Sequence, residues 1–167
     1  STVPITERRQ LSIIPEAKIN NQAAAAYEQF RRKSKLITSG SQLKEVRDIG
    51  KRIEVSVSSF FNMKNEDDPT KNFQWDYVLV DNDKIANAWC MPGGKIAVYT
   101  GLLKITKNTD ALSIVMGHEI AHAVAKHSVE RASRSVLLRT TFQITDILTG
   151  GKISQVNRTT GIDTVGL

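Results

Sequence analysis

Three side chains on one short segment have types and spacing that could do chemistry. They are His118, Glu119 and His122, in the run His118-Glu119-Ile120-Ala121-His122. On an α-helix, residues four apart share a face with Cβ atoms about 5–6 Å apart, so both imidazoles can address one ion. Zn²⁺ takes imidazole nitrogen in a tetrahedral shell, and a catalytic shell keeps one position for water. Glu119 directly follows the first imidazole and so lies beside such an ion. Its carboxylate can there take a proton from water at the metal and later deliver it to a leaving amine. The candidate metal ligands are therefore His118 and His122, the candidate catalytic residue is Glu119, and the implied cofactor is zinc.

The pattern is specific. Multiplying the frequencies of His and Glu in this chain gives it by chance in about one shuffled sequence in four hundred, and it is the HExxH signature of zinc metallopeptidases. The bland alternative, two histidines satisfied by solvent or core, leaves ionisable groups on an apolar helix without a partner, which is costly. His127 lies five residues past His122, about 140° round the helix, and cannot join the same site. It reads as a supporting or surface residue. Ala125 and Ser128 stand where the long metzincin pattern needs glycine and histidine, which excludes that class. Cys90 could in principle pair with a histidine as a thiol nucleophile, but the HExxH run already accounts for the histidines.

The elements that must position these residues follow from periodicity. The signature sits in a helix capped by Asn108 or Thr109, with Asp110 in its first turn and apolar residues almost all round, which predicts burial. Pro15 and Glu16 open a first helix running past Ala23-Ala26, Tyr27 and Phe30. Gly40 breaks the chain, and Ser41 caps a second helix whose Leu43, Val46, Ile49, Ile53, Val57 and Phe60 share one face. Gly50 lowers the propensity there without ending the helix. Residues 62–72 read as a loop, residues 73–80 as a strand, Asp81-Asn82-Asp83 as a turn and residues 85–90 as a second extended stretch. Pro92-Gly93-Gly94 then turns a hairpin into a third strand, Lys95 to Tyr99, with the proline at a sheet edge. No nucleotide-binding pattern surrounds those glycines, so they are corner residues. A further helix is expected at about residues 133–148, before Gly150-Gly151.

Composition narrows the class without naming a function. The chain has 167 residues, 23 Lys and Arg against 17 Asp and Glu, a net charge of +6, 40% hydrophobic residues and 6% aromatic. That is ordinary globular composition for one domain, with no run of the roughly 20 apolar residues that span a bilayer. One cysteine excludes an internal disulfide framework. Basic residues cluster at Arg8-Arg9, at Arg31-Arg32-Lys33 with Lys35, and between Lys126 and Arg139. Without interleaved aromatics they read as solvated helix faces rather than a nucleic-acid surface.

Gly117-His118-Glu119-Ile120-Ala121-His122, with Ala125-Lys126-His127 and Glu130-Arg131, resembles the gluzincin family that contains the CAAX prenyl proteases and the HtpX-type heat-shock proteases. Asn87-Ala88-Trp89 and the stretch from Pro92 to Leu102 look like that family's edge strand. The resemblance covers about residues 75–131. It implies that a substrate peptide pairs with an exposed strand by β-augmentation, either around Asn87 to Cys90 or along the Lys95 to Tyr99 arm, with Asn87 and Ala88 favoured as the substrate-binding backbone nearest the metal. The arm around Arg8-Arg9-Gln10-Leu11 resembles the soluble periplasmic, lipoprotein-like branch. This implies a bacterial periplasmic or outer-membrane-associated location, with a lipid anchor upstream of residue 1. In this family the third zinc ligand is a glutamate on a later helix. No glutamate follows Glu130, and Asp146 and Asp163 are the only downstream carboxylates, so the expectation is a chain that stops before its third ligand and is poorly active.

The expected fold is α+β: N-terminal helices, a small sheet of about three strands with an edge hairpin, and a long buried HExxH helix. Residues 1–14 form an arm, 15–149 the zinc-metallopeptidase domain, and 150–167 a glycine-containing, weakly ordered tail. The expected function is a metalloendopeptidase acting on unfolded or membrane-associated polypeptides in protein quality control, with no nucleic-acid partner. Two rivals stand beside it: a non-catalytic, chaperone-like peptide binder using the edge strand, and a membrane-surface module using the basic clusters. An open edge strand also leaves a homo-oligomer available by strand exchange.

Overall fold

The computed structural model describes residues 15–128, with side chains as far as Ala125. The elements are α1 (Glu16–Lys33), β1 (Leu36–Ile37), α2 (Ser41–Met63), β2 (Asp76–Val80), β3 (Ala88–Met91), β4 (Lys95–Tyr99), α3 (Thr100–Thr106) and α4 (Thr109–Ser128). The fold is α+β, as expected. The arm at residues 1–14, the helix expected at 133–148, the tail and the basic residues beyond 125 lie outside the described residues.

The sheet has four strands, not three, in the order β1-β2-β4-β3. The added strand β1 pairs antiparallel with β2 through only Leu36↔Val80 and Ile37↔Leu79. Two residues are too few to show a period. β2 and β4 run parallel, from Asp76↔Lys95 to Val80↔Tyr99, and β3 closes the far side antiparallel to β4, from Ala88↔Val98 to Met91↔Lys95. The predicted hairpin is present, and it places β3 at the edge. Its corner needs left-handed backbone at Gly93 (φ 87°) and Gly94 (φ 85°), which glycine adopts without steric cost. The corner carbonyls accept from Gln74 and Asp76 N–H, each at 3.0 Å, and so continue the β2–β4 pairing past the strand end.

Alternation along the strands sends side chains to two helical layers. One face carries Tyr77, Leu79, Ile96, Val98, Ala88 and Cys90 against α2 and α4; Val46, Ile49, Ile53, Leu112, Met116, Ile120 and Val124 fill that core. The other face carries Val78, Val80, Ala97, Trp89, Met91 and Tyr99 against Tyr27 and Phe30 of α1. Arg31 does more than make a solvated face: with Tyr27 it binds Asp76 Oδ2, at 3.1 and 2.9 Å, tying α1 to the first residue of β2. Among the described residues no helix is long and apolar enough to cross a membrane.

Two local expectations change. Ser41 is the first helical residue, with Gly40 before it and no side-chain cap. At α4 the cap is Asn108, whose Oδ1 accepts from Ala111 N–H at 2.8 Å, while Thr109 donates its hydroxyl to Glu45. Nor is α4 buried all round. Leu112, Met116, Gly117, Ile120, Ala121, Val124 and Ala125 are buried, whereas Ser113 to Val115, His118, Glu119, His122 and Ala123 are half-buried.

Candidate metal centre

The half-buried flank of α4 carries the three polar residues of the signature. Ile120, Ala121 and Val124 anchor the helix into the core at 0% exposure, which turns His118, Glu119 and His122 away from it. The imidazoles of His118 and His122 stand nearly parallel, with planes 12° apart and centroids 6.4 Å apart. Nδ1 of His122 is buried and has no hydrogen-bond partner among the described residues. A buried, unpaired ring nitrogen is unfavourable unless something fills it. Two imidazoles one helical turn apart, one with an orphaned nitrogen, form a donor set that suits Zn²⁺. They do not complete a shell: among the described residues no three His, Cys, Asp or Glu side chains gather closely enough to hold an ion. The structure thus brings together His118 and His122, with no third candidate ligand gathered beside them among the described side chains.

β3 lies against α4 with its core-facing residues, Ala88 (3% exposed) and the partly buried Cys90, in the cluster that contains Ile120 and Ala121. Burial, then the charge of Glu119, pushes the Cys90 thiol up to about 12. It is therefore held neutral, the opposite of what a thiol nucleophile needs.

The edge of β3 is chemically defined by register. Tyr99 N–H donates to Asn87 C=O at 3.1 Å, so Asn87 belongs to a hydrogen-bonded pair. By the alternation of an antiparallel ladder, the main-chain groups of Ala88 and Cys90 then point outward. Ala88 N–H is already taken by Asn87 Oδ1 at 2.9 Å. This leaves Ala88 C=O and both main-chain groups of Cys90 as the free edge among the described residues. Of the two predicted edge residues, Ala88 presents a carbonyl and Asn87 serves to shape the strand entry. Cys90, at the far end of the Asn87 to Cys90 stretch expected at the edge, is the next outward position counting by twos from Ala88. The side chain of His127 lies outside the described residues.

An apolar helix that presents two imidazoles and a carboxylate on one flank is the arrangement expected of an HExxH-type candidate site. The family model for Peptidase family M48 matches residues 44–165, and the chain belongs to that family. Curated relatives are the mitochondrial metalloendopeptidase OMA1 of Arabidopsis thaliana, 44% identical over 66 residues (40% of this chain, 13% of the relative). The OMA1 protein of Bos taurus is 43% identical over 75 residues (44% and 14%). That of Saccharomyces cerevisiae is 35% identical over 63 residues (37% and 18%). The matched part of this chain spans less than a fifth of the length of these relatives. Their names are mitochondrial, which overturns the bacterial periplasmic or outer-membrane-associated location drawn from the resemblance. That location was drawn from the arm around Arg8-Arg9-Gln10-Leu11, which lies outside the described residues.

Proposed function

We propose that the protein is a zinc-dependent metalloendopeptidase acting on extended segments of polypeptide. The observation that carries this reading is the near-parallel pair His118 and His122, with His122 Nδ1 buried and unpartnered. Glu119 beside them and the open edge of β3 support it, as do membership of family M48 and relatives named as metalloendopeptidases. Bound at these imidazoles, zinc supplies Lewis acidity toward a peptide carbonyl and toward water. The chain's own residues do the rest. His118 and His122 hold the ion, and a third ligand comes from outside residues 15–128. Glu119 takes up a proton on its carboxylate and returns it to the departing amide nitrogen. The outward groups of Ala88 and Cys90 orient the substrate main chain as an added strand.

The test uses the whole chain. Zinc is expected at about one per chain and is lost in His118→Ala and in His122→Ala. Glu119→Gln keeps the zinc and lowers cleavage of an unfolded protein by roughly 10²–10⁴-fold. Zinc retention untouched by either histidine variant, or cleavage untouched by Glu119→Gln, would falsify the proposal. Peptide binding without cleavage by the wild type favours the chaperone-like reading instead.

A further inference from the structure

The free edge of β3 has two faces, and they differ. Toward α4 it shows Ala88 and Cys90, both small. Toward α1 it shows Trp89 and Met91, and the apolar residues around them are graded across the sheet. Val78, Val80 and Ala97 in the middle are buried, whereas Trp89, Met91, Phe30 and Tyr99 near the edge are only partly buried. Leu36 of β1, at the opposite edge, is partly buried too, but more of this layer's partly covered apolar side chains lie on the β3 side, where a strand would add. The wall is also fixed. Phe30 meets Trp89 at 4.9 Å between centroids and 73°, Tyr27 meets it at 6.3 Å and 89°, and Trp89 Nε1–H donates to Tyr99 Oη at 3.4 Å. A rigid apolar wall loses little freedom when it is covered.

A strand added to β3 places its residues opposite Ala88 and Cys90 on the α4 side and its residue opposite Trp89 on the α1 side, with Cβ atoms about 4.5–5.5 Å from their partners. We propose that the α1 side of this edge is the specificity wall of the cleft: Trp89 and Met91 select extended peptides that carry apolar side chains at alternate positions, displaced by one residue from those facing the metal centre. This inference rests on the peptidase reading for the occupant of the edge, but its test reads binding rather than cleavage. The unpaired Ala88 C=O and the main-chain groups of Cys90 commit the occupant to an extended polypeptide, and the partly buried Trp89 and Met91 commit its alternate residues to apolar types.

The deciding variant is Met91→Glu. Met91 lies directly opposite Lys95 in the ladder, so the new carboxylate has an opposite charge on the same face. Two labelled peptides of equal length are titrated against the zinc-loaded full chain by fluorescence anisotropy, one alternating Leu with Ser, the other Lys with Ser. The wild type is expected to bind the Leu peptide about tenfold more tightly, the scale on which an apolar surface discriminates. Met91→Glu is expected to weaken the Leu peptide by about tenfold and to strengthen the Lys peptide. If that variant does not fold, Met91→Gln serves, and the Leu preference alone should fall. Unchanged affinities in a folded variant, or no binding of either peptide by the wild type, overturn the inference. Selective binding without any cleavage sinks the peptidase reading and leaves the wall standing; cleavage without selectivity does the reverse.

Discussion

Gly101 is the position where one added methyl group should reach both stability and the candidate site. It lies in the first turn of α3, beneath the loop that leads into β3. A Cβ there would stand 2.3 Å from the carbonyl oxygen of Ile85 and 2.6 Å from that of Asp83. Carbon–oxygen contacts close at about 3.3 Å, so the loop must retreat by about 1 Å. Both obstacles are main-chain atoms, which no rotamer change can move. The loop is also pinned: Gly101 N–H donates to Asn82 C=O at 3.2 Å, Asn82 N–H to Thr100 Oγ1 at 2.9 Å, and Tyr99 N–H to Asn87 C=O at 3.1 Å. Overpacking costs about 1–3 kcal/mol, and weakening two of these hydrogen bonds costs about 1 kcal/mol each. The better helix propensity of alanine returns about 1 kcal/mol. Gly101→Ala should therefore lose about 2–4 kcal/mol, read as a lower urea midpoint at unchanged slope. Because the loop ends at Asn87 and Ala88, a 1 Å displacement should also cost peptide cleavage on the order of 10²-fold. A variant within about 0.5 kcal/mol of the wild type would refute the steric argument. A destabilised variant with full activity would refute the link from this loop to the substrate edge.

Other perturbations test other joints of the fold. Gly50→Ala puts a Cβ 2.2 Å from the Tyr77 ring, which is held by a 2.7 Å bond from its hydroxyl to Glu54. Urea unfolding should show a loss of about 1–3 kcal/mol from overpacking, largely relieved in a Tyr77→Leu background; equal losses in both backgrounds count against it. Asn108→Ala removes the cap of α4 and should cost about 1 kcal/mol, an effect absent from the exposed neighbour Lys107→Ala. Cys90 has its thiol raised from an ordinary 9.0 to about 12, so the unfolded chain gives up this proton first. The stability it contributes is whole below about pH 9 and lost as pH rises toward 12. Stability should accordingly fall across that window, and Cys90→Ala should flatten part of the fall; a thiol reagent that labels the folded protein as fast as the unfolded chain would contradict the burial.

The parts of the fold legible in the sequence are those in which one residue pattern meets one environment. The period of Leu43 to Phe60 gave α2 because a single stripe faces the sheet. The Pro-Gly-Gly corner gave the β3–β4 hairpin because only left-handed backbone turns the chain there. The spacing of His118 and His122 gave the shared face because a four-residue step closes one helical turn. What escaped depends on partners distant in sequence. β1 exists through two pairings with β2. α3 has no side-chain cap at its start and ends on Lys107 in a left-handed conformation (φ 59°), with no glycine to announce it. Arg31 joins the sheet through Asp76, 45 residues away.

The position of the candidate pair His118 and His122 follows from how α4 divides its surface. A helix with apolar residues on almost every side has no preferred orientation on hydrophobicity alone; its sheet-side contacts must choose one. Ala88, with the smallest chiral side chain, and Cys90 let β3 approach α4 closely, and Ile120, Ala121 and Val124 close the gap. Once those residues are inside, the hundred-degree step of the helix leaves His118, Glu119 and His122 together on the half-buried flank of α4. The same small residues thus set the rotation of the helix and the open main chain beside it. Larger side chains at Ala88 or Cys90 would separate α4 from β3 before touching either imidazole. The distance between a pairing edge and a metal pair is therefore built into the packing of β3 on α4, independent of where the remaining ligand originates.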